Sequence, residues 1–479
     1  MTEAPKYPLL WYTSGTPINI GQRDCAFERF MGTHAGKHGT GYRRITQAVP
    51  LATGGAVHEG VQLIGEWILE WQATHPNRRL VSLQGCDDVI AWAATEAASR
   101  YEHKARARGL ALTKTDTDAA AAVEQLILEQ RTLTEALIWI YALGRLPVML
   151  SSYRLLGVEY EETPVLDCTC GLGDWVAQAD AHAARGCTGI VAQGRADALW
   201  EHAEHGGIVY EQIKTKAQEK KSWEDAWEHS GQLLLDMEGA SKRLGKDVSE
   251  AFVPILFKGW RGRDRGAPET EPKYQHTPLV YGWFNPGGLN QDAEWSARYK
   301  WVDDYGKGHT LGSTYKRTPI WVDDVPFPPG QNPNGVMFRD GASRVEQWIR
   351  GYILPVQLVE FLKTLGPFQR QRGRVPAAIA SILAEERMWR ERVEYLRSIN
   401  AVDHMHAEVV NLIPRSWNCI HYDGTPCQFK PLCFREPGYE QIEAMGIYEI
   451  RTPHHLPEKV AFETQGVVFP EQDEEESDE

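Results

Sequence analysis

The chain has 479 residues, enough for about two to four domains. Hydrophobic residues make up 42% and charged residues 24%, which excludes a wholly disordered chain. The net charge is −14, and about half of it lies in Glu471–Glu479, a run of acids with no base. Such a run reads as a solvated, disordered tail. Net acidity does not exclude nucleic acid, because binding depends on local basic patches. No uninterrupted apolar run approaches the roughly 18 residues of a membrane span. Met1-Thr2-Glu3-Ala4-Pro5-Lys6 lacks the basic-then-apolar layout of a signal peptide. The expectation is a cytoplasmic protein with no membrane contact.

Residues 1–50 read as loop with short elements. Val57, Val61, Ile64, Ile68 and Trp71 then recur at helical spacing, and an Ala-rich helix covers 119–143 with Val123, Leu126, Ile127, Leu137 and Ile138 as its apolar face. Residues 1–150 therefore form a mostly helical N-terminal segment. Residues 151–258 change character and form the expected core. Leu156–Glu161, Gly189–Trp200 and Ile208–Thr215 read as strands, with turn residues at 202–207. Trp223, Trp227, Leu234 and Met237 recur at helical spacing. Ala251–Phe257 reads as a further strand, with Pro254 suggesting an edge or a bulge. Residues 259–345 form an insertion rich in Gly, Pro and aromatics. Residues 346–435 return to helix, with Ile379, Ile382, Leu383, Trp389, Val393 and Leu396 on one face. Residues 436–479 are tail. The predicted class is α/β (α+β).

Side chains alternate along a strand, so Val191, Gln193, Arg195 and Asp197 share one face. Tyr210, Gln212 and Lys214 share one face of the next strand, and Val209, Glu211 and Ile213 the other. A hairpin would bring Asp197 close to Gln212 and Lys214. A carboxylate, a second oxygen ligand and a lysine suit phosphodiester hydrolysis. Oxygen ligands hold Mg²⁺ or Mn²⁺, the ion activates water, and a lysine orients that water or offsets developing charge.

These motifs resemble the RecB-like branch of the PD-(D/E)XK nucleases. Gly194-Arg195-Ala196-Asp197 is similar to its Gly-x-x-Asp motif, and Gln212-Ile213-Lys214-Thr215 to its acid-x-Lys-Thr strand. Gly54-Gly55-Ala56-Val57-His58-Glu59-Gly60 resembles its glycine-led helix start with a metal-binding histidine, and Glu159 matches a glutamate on the preceding strand. The resemblance implies a restriction-endonuclease-like mixed central sheet flanked by helices. It implies a metal site of His58, Asp197 and Gln212, with Glu159 as an extra carboxylate and Lys214 orienting the water. Glu211, next to Gln212, is a catalytic candidate only if a bulge re-aims it. Gln212 stands where the family usually has an acid, and Mrr-like endonucleases resemble this Gln-x-Lys form. The family's Gln-x-x-x-Tyr helix is represented by Gln232, with Asp236 at the tyrosine position.

Cys25 with Cys419, Cys427 and Cys433 resembles the 4Fe-4S clamp of AddB-type and CRISPR-associated members, one cysteine before the nuclease core and three after it. Zinc competes for four such thiols. Cys168, Cys170 and Cys187 read as buried or free thiols, with a separate small site as the alternative. The implied activity is a DNA nuclease acting on single-stranded or free-ended DNA in recombination, repair or phage DNA processing. No Gly-x-x-x-x-Gly-Lys-Thr is present, so a helicase or recombination partner would be another chain. Lys104–Arg108, Lys258–Arg263 and Arg370–Arg374 are basic segments for a phosphate track. Gln232, Lys216, Arg261 and Arg263 are candidate DNA contacts, and Trp260 a stacking residue. The competing reading is a nuclease-fold iron–sulfur protein that binds nucleic acid or assembles with a partner without hydrolysis.

Overall fold

The computed structural model describes residues 8–14, 25–36, 38–45, 47–83, 85–108, 110–111, 119–175, 178–216, 226–228, 230–257, 260–262, 274–276, 300–302, 308–310, 362–401, 406–415, 427–434, 442, 446–453 and 455–469. The acidic run, Cys419, Arg263 and Trp223 lie outside the described residues. Of the predicted insertion, two short antiparallel pairs are described: Trp260–Gly262 with Tyr274–His276, and Lys300–Val302 with Gly308–Thr310.

A mixed sheet organises the chain. Its strands are β1 (Trp11–Ser14), β2 (Tyr153–Glu162), β3 (Val165–Leu166), β4 (Ile190–His202), β5 (Ile208–Glu211), β6 (Lys214–Lys216), β7 (Val248–Phe257) and β8 (Leu362–Gln369). β4 pairs antiparallel with β2, β3 and β5, and parallel with β1. β7 runs parallel to β5 and β6 and antiparallel to β8. Strands from residues 11–14 and 362–369 thus join those of 151–258 in one sheet.

Helices cover both faces. After α1 (Ala26–Thr33), the helices α2 (Val49–Thr74), α3 (Asp87–Arg108) and α4 (Ala119–Ile140) cover one face and build the main core. Val57, Val61, Ile64 and Ile68 of α2 pack with Leu133 and Leu137 of α4 and with Ala198, Trp200, Val209 and Leu256 of the sheet. Gly60 lets these helices approach closely, because a Cβ there would collide with Ile138 of α4 and crowd Ala97 of α3. α4 runs through a π turn at Tyr141–Arg145 into Leu146–Ser152. Leu133–Ser152 is long and apolar enough to cross a membrane by average composition, although Glu135 and Arg145 interrupt it, and 78% of its window is buried inside the fold. Its apolar character is that of a core helix.

The other face carries α5 (Gly231–Leu244), whose Leu233, Met237 and Ala240 pack on Ala196, Leu199, Tyr210 and Ala251. Ser230 caps it by accepting a hydrogen bond from Leu233 N–H at 3.3 Å, and Gly245 ends it at φ 62°. α6 (Val375–Ser398) packs with α1 in a separate core through Phe27, Phe30, Met31, Trp389, Val393 and Leu396. Beneath them Arg29 pairs with Glu386 at 2.6 and 2.7 Å, and Trp11 Nε1 donates to the same carboxylate at 2.8 Å.

Two expectations change, and a third resolves between its alternatives. The strand predicted over 208–215 is broken at Gln212 and Ile213, which separate β5 from β6. Residues 362–369, placed in a helical segment, form β8. Pro254 lies within β7 opposite Thr364, not on an edge, and follows a register shift between Ala251 and Val253, which is the bulge alternative.

Candidate functional site

Gln193 of β4 pairs with Ser14 of β1, and Ala198 pairs with Glu211 of β5. Between them, Gly194–Asp197 face a fork where β4 and the β5–β6 segment diverge. Ala196 lies in the α5 core and Ala198 in the α2–α4 core, so alternation slips at Asp197. Opposite the slip, Glu159 holds φ at 43°, between Val158, which faces Ala198, and Tyr160, which faces Ala196. A left-handed glutamate costs on the order of 1–3 kcal/mol, and such strain clusters at functional sites.

The Asp197 carboxylate fills the fork. Its Oδ2 accepts the Ile213 N–H and, at 2.9 Å, Gln212 Nε2; its Oδ1 lies 3.0 Å from His58 Nδ1 of α2. The strand break thus supplies a backbone donor, and a buried charge satisfies it. Ligand atoms of His58, Glu159 and Asp197 lie within 4.8 Å of one another and could hold one divalent ion. Burial pushes Asp197 up, but His58, Lys214 and the Ile213 N–H outweigh it and hold the carboxyl below its usual range. Burial raises Glu159 despite its ion pair with Arg195 at 2.7 Å. Lys214 acts electrostatically on Glu159, Asp197 and Asp236, with its Nζ 5.6 Å from the Trp227 ring centre.

Gln212 is in the site, with its amide nitrogen rather than its oxygen toward Asp197. Its amide nitrogen holds Asp197, and its Oε1 accepts the Tyr210 hydroxyl at 2.9 Å. The same hydroxyl lies 3.0 Å from the Arg195 carbonyl and 3.1 Å from Asp236 Oδ2. One proton cannot serve three acceptors, so the arrangement is satisfied when Asp236 is protonated. Burial pushes that carboxyl up to about 7, against the opposing bonds from Tyr210 and Gln232. Asp236 presses on Gly194, where a Cβ would meet its Oδ1 at 2.5 Å. The glycine of Gly-x-x-Asp is thus a packing requirement, a role its motif position alone does not give.

Glu211 does not join this group. It is fully buried, accepts the Tyr141 hydroxyl at 3.1 Å and pairs with Arg145 at 3.3 Å. No bulge re-aims it, because the break comes one residue later. In the first and third basic segments, described residues engage acids: Lys104 with Glu59 at 2.7 Å, Arg106 with Glu102 at 2.7 Å, Arg370 with Glu238 at 2.8 Å and Arg372 with Asp247. Gln232 bonds Asp236, Lys216 ends β6, and Arg261 lies on a short strand outside the main sheet.

Of the predicted clamp, Cys25 at the start of α1 and Cys427 are buried in the α1–α6 core, and Cys433 packs against it. Burial pushes Cys427 up to about 12, with Glu28 adding to the effect. Cys25 lies close enough to bear on the same thiol. Elsewhere Cys168, Cys170, His182 and Cys187 gather with ligand atoms within 4.8 Å of one another. These four side chains could hold a metal. The sequence reading favoured buried or free thiols over a separate small site here, and it did not include His182, which the fold brings to them. No family model matches the chain, and no curated protein matches it.

Proposed function

We propose that the chain is a metal-dependent DNA nuclease of the RecB-like PD-(D/E)XK kind, with a 4Fe-4S cluster on Cys25, Cys419, Cys427 and Cys433. One observation carries the reading: His58 from a helix and Glu159 and Asp197 from paired strands converge at a sheet fork with Lys214 beside them. The donor set, one imidazole and two carboxylates, fits Mg²⁺ or Mn²⁺. Such an ion supplies Lewis-acid chemistry, activating water and offsetting charge on the phosphate. The chain's own residues do the rest. Gln212 and Ile213 fix Asp197, Arg195 fixes Glu159, and Lys214 orients the attacking water and stabilises the charge that develops on the phosphate oxygens. The sequence resemblance adds the substrate, DNA with a single-stranded part or a free end, and a helicase or recombination partner.

For the cluster, Cys25 and Cys427 sit in a dry core and Cys433 lies against it, as a buried structural cofactor requires. It would tie α1 to the C-terminal cysteines. One observation favours the non-hydrolytic reading: Gln212 brings no charge where the family has an acid.

The test is cleavage of end-labelled single-stranded, blunt and circular DNA with Mn²⁺, Mg²⁺ or EDTA, using protein purified without oxygen. The proposal expects metal-dependent cleavage that Lys214→Ala and Asp197→Ala abolish. No cleavage by protein that carries four irons and four sulfides would overturn the enzyme in favour of the binding or assembly reading.

A further inference from the structure

The second cysteine group lies in the segment between β3 and β4. β3 ends at Leu166, and Cys168 and Cys170 follow at once. A short helix, Ala179–Ala183, carries His182, and Cys187 precedes the start of β4 at Ile190. His182 is fully buried. Its Nδ1 lies 3.4 Å from the sulfurs of both Cys168 and Cys170, and those sulfurs are 3.6 Å apart. Its Nε2 has no partner among the described residues, so thiols are this imidazole's polar company. Nδ1, the nitrogen aimed at the two sulfurs, is the one placed to ligate.

The spacing selects the metal centre. A sulfur–sulfur separation of 3.6 Å is too long for a disulfide, whose sulfurs are about 2.05 Å apart. A tetrahedral zinc with Zn–S near 2.3 Å and Zn–N near 2.0–2.1 Å puts sulfurs about 3.8 Å apart and nitrogen about 3.6 Å from sulfur. The observed 3.6 and 3.4 Å lie just inside those edges. A cubane cluster spreads its ligands around four irons, wider than the 4.8 Å that contains this group. Supporting donors are also in place: Thr169 N–H and its hydroxyl point at Cys187 Sγ from 3.4 and 3.6 Å. Such bonds to sulfur stabilise a thiolate and orient it.

We infer that Cys168, Cys170, His182 and Cys187 bind one structural zinc ion, separate from both the fork and the predicted iron–sulfur cysteines. Its surroundings say what it holds together. The apolar core here is small, made of Leu10, Val165, Ala179, Cys187 and Val191. A metal supplies what so few side chains cannot. The knuckle also anchors α6: Arg387 forms a two-bonded pair with Asp167 at 2.7 and 2.8 Å, and Arg390 donates to the Thr188 carbonyl. The zinc therefore fixes the entry to β4, which leads to Arg195 and Asp197, and the dock for α6.

The experiment measures zinc, iron and sulfide together in the full chain, expressed with both metals and purified without oxygen. The expected content is about one zinc per chain. Cys187→Ser and Cys168→Ser should lower zinc at least tenfold, whereas Cys25→Ser and Cys86→Ser leave it unchanged. His182→Cys, which rebuilds a four-thiolate site, should retain zinc. If the serine variants fail to fold, Co²⁺ exchange into the wild type decides: thiolate-to-cobalt and tetrahedral visible bands are expected. Zinc-free wild type, zinc kept by both serine variants, octahedral cobalt, or iron and sulfide lost on Cys187→Ser but kept on Cys25→Ser would each overturn the inference. None of these readouts depends on DNA cleavage, so failure of the nuclease reading leaves the test intact.

Discussion

Glu211 offers a sharp perturbation because it neighbours the site in sequence yet belongs to the core. Its side chain is 0% exposed and that of Arg145 7%. One carboxylate oxygen takes both the Tyr141 and Arg145 bonds, and the other has no partner among the described residues. Removing one member of a buried pair leaves an uncompensated charge, at about 3–5 kcal/mol. In Glu211→Gln the amide oxygen still accepts, and the Arg145 guanidinium still stands 4.8 Å from the Phe252 ring centre, a contact worth about 1 kcal/mol. The expected loss is therefore about 2–4 kcal/mol. Arg145→Met combined with Glu211→Leu removes both charges and should recover most of it, giving strong non-additivity. Urea unfolding followed by tryptophan fluorescence measures both. Cleavage assayed well below the unfolding transition should persist in Glu211→Gln. A variant of wild-type stability that has lost cleavage would refute the assignment of Glu211 to the core.

Glu162 lies 4% exposed, and burial pushes its carboxyl up to about 8. The folded chain then binds more protons than the unfolded one between about pH 4.5 and 8, so this group's stabilising contribution is full below the unfolded value and is lost as pH rises through 8. Glu162→Gln should gain on the wild type by up to about 4 kcal/mol from pH 5 to pH 9, read from urea midpoints; parallel profiles would contradict the buried neutral carboxyl. At the fork, Gly194→Ala drives a methyl into Asp236 and should cost about 1–3 kcal/mol and weaken Mn²⁺ binding, measured by calorimetry. Unchanged affinity would show that the Asp236–Tyr210–Gln212 chain does not position Asp197.

Much of the fork was legible because it rests on period-2 arithmetic and a tight turn: Asp197 and Gln212 do meet. What alternation could not give was the slip at Asp197 or the break at Ile213. Both arise from strands parting, with a carboxylate taking the freed N–H. β8 was hidden because Leu362-Lys363-Thr364-Leu365-Gly366-Pro367 does not alternate, and Leu365 is its one fully buried residue. α3 escaped individual notice because its inner face is mostly alanine: Ala93, Ala94, Ala97, Ala98 and Ala105. Small side chains leave a weak hydrophobic period while allowing close helix packing. His182 belonged to no known short spacing; only the fold of the 166–190 segment brings it to the thiols.

The Arg29–Glu386 pair has a consequence for synthesis. Its partners are separated by 357 positions, and β1, just before Arg29, pairs with a strand that begins at Ile190. At about 5–20 residues per second, a ribosome needs roughly 20–70 s to reach Glu386 after Arg29 has been made. Throughout that interval a guanidinium destined for burial, and the apolar face of Phe27, Phe30 and Met31, await their counterparts. The segment around residues 25–33 is thus translated long before its partners and is among the last to be completed. A nascent chain halted before residue 386 should expose it to chaperones and proteases, even where the central sheet has already formed.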